Sequence, residues 1–404
     1  MLTYKTVKQH LYRLIPKDFR MSLEPMREMA DRLGNPQLAY KTIHVTGSNG
    51  KGSTVAFLES LLRAKGLRVG MMTSPHLQTV RERIQIDRKM ISEKEFVVAY
   101  EAVRGVLPNK NYLTFFELTV LMGFWFFAKK KVDVAVIEVG LGGRWDATNI
   151  VLPTVGVFTP ISLEHQRILG ETLQAITQEK CGILKPGMQV VSAPQEEEVR
   201  KVIEENCRNL DLPLHRISPL KGDILLGLKG EHQKTNAAVA LKGGELFLGR
   251  GEGMSEALVN TFWPGRLQYI NQNPKILLDG AHNLAGIEVL VDFLRKNHGN
   301  DPIFFIFGVM RDKKWEKMIE ILASLAKKFI FVAPKQERSL SIEDLSRYAQ
   351  NRGILHETAK SFPQVVEKVF SEPKKGQLWV ACGSLFVLGE LLDSLKVKDQ
   401  NSKP

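Results

Sequence analysis

The sequence predicts an α/β protein of two domains: a parallel sheet organised around a phosphate-binding loop, followed by a smaller α/β unit. Three observations carry this. First, Thr42-Ile43-His44-Val45-Thr46 is a β-branched, apolar run that leads into Gly47-Ser48-Asn49-Gly50-Lys51-Gly52-Ser53. The next residues, Thr54 to Leu62, have helical periodicity, so the order is strand, tight loop, helix. Second, Val132 to Val139 is an almost continuous apolar run of the kind a buried parallel strand requires. Third, a chain of 404 residues is long for one core, and the strand–helix alternation restarts at Lys275. Residues 1–262 form the first domain, 263–274 a linker carrying Trp263-Pro264-Gly265-Arg266 and Asn273-Pro274, and 275–404 the second domain.

The loop has a definite chemistry. Glycines let backbone N–H groups curl around phosphate oxygens, and the helix N-terminus adds partial positive charge. Asn49, Gly50, Lys51, Gly52 and Ser53 are therefore candidate nucleotide contacts, with Lys51 reaching the β- and γ-phosphates and the Ser53 hydroxyl placed for Mg²⁺. In the usual loop the lysine directly precedes Ser or Thr. Here Gly52 intervenes, so this is a variant, and a plain glycine turn before a helix is the alternative.

Taken in order, residues 1–40 read as two short helices, the second from Pro25 to Leu33 and stopped by Gly34-Asn35-Pro36. Leu67 to Thr73 is a second strand, ended by Ser74-Pro75, so Ser74 lies at a strand's carboxyl end, where open α/β sheets bind ligands. Residues 93–107 and 115–129 read as helices, the latter with Thr114 as N-cap and Glu117 in its first turn. Glu138 ends the third strand; a carboxylate there needs a partner or a metal, and an ion pair with an arginine is the alternative. Another strand, Thr154 to Thr159, leads to His165, and a helix from Thr172 carries Lys180 at its end. Residues 188–210 form a strand and a helix, 212–229 a poorly periodic stretch, and Glu231 to Asn236 open an alanine-rich helix. Ser53, Ser74, Glu138 and His165 thus each follow a different strand and can converge on one crevice. In the second domain, strands are expected at 276–279, 303–308, 329–333 and 378–382, with Asp279 and His282 at the end of the first and disorder after Lys396.

Composition narrows the classes. The longest apolar stretch, Leu118 to Ala128, is about half of the ~20 residues a spanning helix needs, and Met1 to Lys5 has no apolar export region. Cys181, Cys207 and Cys382 have neither even number nor metal spacing and read as reduced thiols of a cytoplasmic protein. A net charge of +12 favours anionic partners, but the basic residues are dispersed and no nucleic-acid motif accompanies them.

The glycine loop is followed in order by Thr73-Ser74-Pro75-His76-Leu77, Phe116-Glu117, Glu138-Val139-Gly140-Leu141-Gly142-Gly143-Arg144 and Asp146-Ala147-Thr148-Asn149. The series continues through Glu179-Lys180, Gly182-Ile183, His232-Gln233, Asn236-Ala237-Ala238, Pro264-Gly265-Arg266, Asp279-Gly280-Ala281-His282-Asn283 and Gly308-Val309-Met310-Arg311-Asp312-Lys313. In these motifs, from about Leu33 to Lys313, the chain resembles the folylpolyglutamate synthase/dihydrofolate synthase branch of the Mur-ligase family.

The resemblance implies a Mur-ligase-like P-loop domain with a Rossmann-like C-terminal domain, in a monomer that uses ATP, two Mg²⁺ ions, a folate or pteroate and L-glutamate. It implies amide formation through an acyl phosphate, with no nucleic-acid or membrane partner. By the same resemblance Ser53, Ser74, Glu138 and His165 are the metal set, and Asn236, Arg266 and Asp279 join the nucleotide, the last two upon domain closure. His282 lies near the nucleotide or the incoming glutamate. Lys180 is the lysine carbamylated in this family, a helix-end cation being the alternative. Thr114, Phe115, Phe116 and Glu117, with Trp145, Asp146 and Ala147, match the pterin-binding loops, although such aromatics also serve as core.

The chain departs from the family pattern at three places. Met21-Ser22-Leu23-Glu24-Pro25 lacks the glycine and arginine of the pteroate-contacting segment, Glu164 replaces an aspartate, and Cys181 an alanine. The first of these bears on dihydropteroate activity. Three rivals remain at this level: another Mur-type amino-acid ligase, a P-loop nucleotide-binding protein that ligates nothing, and a nucleic-acid-binding protein, which would associate in a strongly salt-dependent way.

Overall fold

The computed structural model describes residues 2–14, 20–249, 255–371 and 376–401. They divide into two compact units, one of Met1–Gly227 with Gln233–Phe262, the other of Leu228–His232 with Trp263–Pro404.

The first unit holds β1 (Lys41–Thr46), β2 (Val69–Met72), β3 (Ile84–Ile86), β4 (Lys89–Met90), β5 (Val134–Glu138), β6 (Val155–Phe158), β7 (Gln189–Ser192) and β8 (Leu214–Arg216). They form one sheet in the order β4-β3-β2-β5-β1-β6-β7-β8, parallel from β2 to β8, with β3 and β4 antiparallel at one edge. Every residue of β2, β5 and β6 is buried, as apolar runs flanked on both faces by helices require. The helix Lys51–Ala64 is buried from Gly52 to Leu62, which explains why its sequence is apolar nearly all round. The helix Phe115–Lys129 supplies the largest apolar surface, with Phe124 and Phe127 fully enclosed. Thr114 caps it reciprocally with Glu117: the Glu117 carboxylate accepts the Thr114 N–H at 2.7 Å and the Thr114 hydroxyl accepts the Glu117 N–H at 3.3 Å. The β3–β4 hairpin turns on Asp87 and Arg88, both at positive φ. That turn carries neither Gly nor Asn, so its sequence signal is weak.

The second unit holds β9 (Gln268–Gln272), β10 (Lys275–Leu278), β11 (Ile303–Phe307), β12 (Ala326–Phe331), β13 (His356–Thr358) and β14 (Leu378–Cys382). Their order is β13-β12-β11-β14-β10-β9, parallel except for β9. Phe305 stacks on Phe329 and Phe329 on Phe331, filling the centre. Three sequence expectations are corrected here. Much of the expected linker 263–274 is strand β9, because a turn at Asn273-Pro274 lets Gln268–Gln272 pair antiparallel with β10. The short strand β13 was not legible, its three residues His356-Glu357-Thr358 lacking an apolar run. The final helix, Leu385–Asn401, continues past Lys396, where disorder was expected. No helix among the described residues is long and apolar enough to cross a membrane.

Candidate active site

Neighbouring strands β2, β5, β1 and β6 all point their carboxyl ends the same way, and each delivers candidate groups there. The loop after β1 enters the helix Lys51–Ala64 through Gly50, at φ +88°. A Cβ on Gly50 would stand 2.3 Å from the Asn236 Oδ1, and one on Gly47, at φ +141°, 2.0 Å from the Thr159 hydroxyl. Glycine is thus demanded both by backbone angle and by close approach. Ser48 and Asn49 donate their N–H groups to the Pro160 carbonyl at 2.9 and 3.2 Å, which ties the loop to the end of β6. The first N–H groups of the helix lack intrahelical partners by geometry and form an anion-binding end. Lys51 Nζ donates to the carbonyls of Gly47 at 2.9 Å and Ser48 at 3.1 Å, folded back over its own loop.

Around this loop the structure gathers most of the residues expected in the first domain. Asn236 touches Gly50, and its neighbour Gln233 donates from Nε2 to the buried Ser53 hydroxyl at 3.4 Å. Glu138 is buried and accepts the Ser74 N–H at 3.0 Å. Its register opposite Val45 sets it beside the start of the loop. Lys51, His165, Lys180 and Glu164 line one small cavity of about 20 Å³ together with Gly47 and Gly140. Lys180 is fully buried, and its Nζ donates to Glu164 Oε1 and to the Gly47 carbonyl, both at 2.9 Å. Burial pushes the Glu164 carboxyl up, but the charges of Lys180, Lys51 and His165 outweigh it and hold the group below the usual carboxylate range.

Among the described residues no three His, Cys, Asp or Glu side chains form a metal cage. The candidates Ser53, Ser74 and Glu138 carry only oxygen donors, and the buried Glu138 carboxylate is the charged one. That chemistry fits Mg²⁺, which keeps waters and phosphate oxygens and needs few protein ligands. His165 lines a separate small cavity in which the Glu164 carboxylate stands with Lys51 and Lys180.

The substrate candidates separate into two kinds. Phe116 packs against Gly140, and Phe115 is buried against Tyr12 with ring centroids 5.6 Å apart. Trp145 and Ala147 belong to the same core. Asp146, by contrast, is buried and spends its carboxylate on the N–H groups of Gly140 at 3.0 Å, Leu141 at 2.9 Å and Thr148 at 2.9 Å. It shapes the glycine loop after β5; Thr148 continues the chain to His44 Nε2 at 2.8 Å. Glu117 likewise serves as a helix cap and pairs with Arg20 at 3.2 Å. Arg20 precedes the segment that lacks its expected arginine, five residues ahead of Pro25, and brings a guanidinium to the Thr114 loop. Arg20 was not picked out from sequence, because the contact spans the chain between distant elements.

Arg266, Asp279 and His282 lie in the second unit. The buried Asp279 carboxylate accepts the N–H groups of Leu267 at 3.0 Å and Ala281 at 2.9 Å. Burial raises its pKa, opposed by the nearby Arg266 charge. Arg266 lies over Gly280, where a Cβ would sit 2.1 Å from its Nη1. His282 Nδ1 donates to the Gly280 carbonyl at 2.8 Å.

Known families agree with this arrangement. Residues 45–208 match the Mur ligase middle domain and residues 265–385 the Mur ligase glutamate ligase domain. A dihydrofolate synthase/folylpolyglutamate synthase of Bacillus subtilis is 31% identical over 97% of this chain and 99% of its own length. The chain belongs to the folylpolyglutamate synthase/dihydrofolate synthase family of Mur ligases. Solved structures of that family superpose along the whole ligase. The Mycobacterium tuberculosis folylpolyglutamate synthase complexed with ADP has a TM-score of 0.89 at 29% identity, covering 99% of this chain and 98% of that one. E. coli FolC in complex with DHPP and ADP also gives 0.89, at 25% identity, covering 98% and 99%.

In this Mur ligase the Lys180–Glu164 pair is enclosed in the first unit, so breaking it leaves an uncompensated buried charge. Glu164→Gln is expected to destabilise that unit by roughly 3 kcal/mol, read by chemical denaturation. The double variant Glu164→Gln with Lys180→Met removes both charges and is expected to recover most of the loss. Equal stability of wild type and Glu164→Gln would show that the pair contributes nothing.

Proposed function

We propose that this enzyme is an ATP- and Mg²⁺-dependent ligase that adds L-glutamate to the γ-carboxylate of a folate. The observation that supports this most is the meeting of a phosphate loop, a buried carboxylate and two lysines at the carboxyl ends of four adjacent parallel strands. A carboxylate attacking the γ-phosphate of ATP approaches a like charge. Lys51, released from the Gly47 and Ser48 carbonyls, is the cation placed to lower that barrier. Mg²⁺ held by Ser53, Ser74 and Glu138 would supply further charge neutralisation. The carboxylate oxygen bonds to phosphorus as ADP departs, giving an acyl phosphate. The amino group of glutamate then bonds to the acyl carbon, loses a proton, and inorganic phosphate leaves. Arg266, Asp279 and His282 stand together in the second unit, with Arg266 over Gly280 and His282 Nδ1 donating to the Gly280 carbonyl.

Lys180 Nζ donates to Glu164 and to the Gly47 carbonyl, and burial lowers its pKa against the raising effect of the Glu164 charge.

The test gives purified protein Mg²⁺, ATP and glutamate with either tetrahydrofolate or dihydropteroate, and follows products by mass spectrometry. A gain of one glutamate residue on tetrahydrofolate is the expected result. A gain on dihydropteroate as well would make the enzyme bifunctional, as the name of its B. subtilis relative describes that protein. Nucleotide binding without either product would overturn the folate reading in favour of another Mur-type ligase.

A further inference from the structure

Arg83 ends a short 3₁₀ turn, Val80–Arg83, and stands at the entry to β3. It is only 9% exposed. Its Nε donates to His76 Nδ1 at 2.9 Å, and His76 Nε2 is 2.9 Å from the Tyr12 hydroxyl. Because an arginine only donates, His76 must accept at Nδ1 and carry its proton on Nε2, so Tyr12 fixes the ring and the ring fixes the guanidinium. The guanidinium carbon lies 5.0 Å from the centre of the Phe115 ring. Neither Nη1 nor Nη2 has a hydrogen-bond partner among the described residues, and no carboxylate pairs with them. A guanidinium this enclosed normally pairs, since its desolvation is costly.

The position of those open donors is informative. One side is Phe115, at the start of the Thr114–Glu117 loop. The negative charges of Glu138 and Glu82 also act on Arg83, and Glu138 accepts from Ser74, two residues before His76. Lys51 serves the phosphate loop and is held by that loop's own carbonyls. Arg83 makes no hydrogen bond to the phosphate loop and packs instead on Phe115. Two parallel N–H donors on a fixed plane match a carboxylate.

We infer that Arg83, positioned by His76 and Tyr12, binds a carboxylate of the acceptor's glutamyl end. This rests on the proposed folate activity and adds to it the residue that recognises the acid group. The ring of Phe115 shields the ion pair from water on one face, which strengthens it.

The test measures equilibrium binding to the full-length protein, loaded with Mg²⁺ and a non-hydrolysable ATP analogue. The probes are folic acid and the same molecule with both glutamyl carboxylates converted to amides. Wild type is expected to prefer the acid by roughly 10- to 100-fold, the range of a charge-assisted bidentate contact. Arg83→Gln should lose that preference by weakening the acid alone, leaving the diamide and nucleotide affinities within about twofold. Arg83→Lys, which keeps the charge and guards against a folding failure, should retain part of the preference. Equal weakening of acid and diamide, or no change in either, would overturn the assignment while leaving the folate reading intact. Failure of the wild type to bind either probe would remove both.

Discussion

Glu138→Ala is expected to abolish measurable ligation, a fall of at least about 10³-fold in kcat, while the protein still binds nucleotide and unfolds cooperatively. Glu138 is the last residue of β5, buried, with its Oε2 on the Ser74 N–H at 3.0 Å. Its carboxylate is the charge in the Mg²⁺ donor set proposed with Ser53 and Ser74. Alanine removes that charge and leaves the Ser74 N–H without its acceptor, costing about 1–3 kcal/mol. Glu138→Gln keeps an acceptor for Ser74 and should restore stability without restoring activity. Phosphate release and product mass read the activity, and denaturant titration reads the stability. Near-normal turnover in either variant would remove Glu138 from the site.

Lys51→Met should lower kcat by about 10²- to 10³-fold, the usual loss when one donor to a developing negative charge is removed. Its Nζ already sits on the Gly47 and Ser48 carbonyls, so the side chain is held over the loop before any phosphate arrives. Methionine preserves the aliphatic stem and removes only the ammonium. The fold should be unaffected, because the loop is held independently by the Ser48 and Asn49 bonds to Pro160. A single-turnover measurement of ADP formation isolates the step. A variant that forms ADP at the wild-type rate and fails only in amide formation would reassign Lys51 to the second half-reaction.

Much of the site was legible because its signals are local. A β-branched run ending in glycines, a proline after Ser74, and an apolar strand ending in Glu138 each declare a strand's carboxyl end without knowledge of the rest of the chain. The same locality failed where the signal was weak or misleading. Gln268–Gln272 looked like linker because its partner strand, not its own composition, makes it a strand. The sequence also does not show that the carboxylates of Asp146 and Glu117, read as substrate contacts, accept backbone N–H groups as well.

The sequence by itself determined the residue types and the strand ends that hold them: Ser53, Ser74, Glu138 and His165 each follow a different strand, as backbone chemistry within a few residues requires. Only the tertiary structure decided that β2, β5, β1 and β6 are neighbours in that order, so that those ends form one crevice. It alone joined Lys180 to Glu164, Arg20 to Glu117 and Arg83 to His76. Strand order and buried ion pairs are set by the free energy of closing long loops around a shared core, a sum over the whole chain that no single segment records.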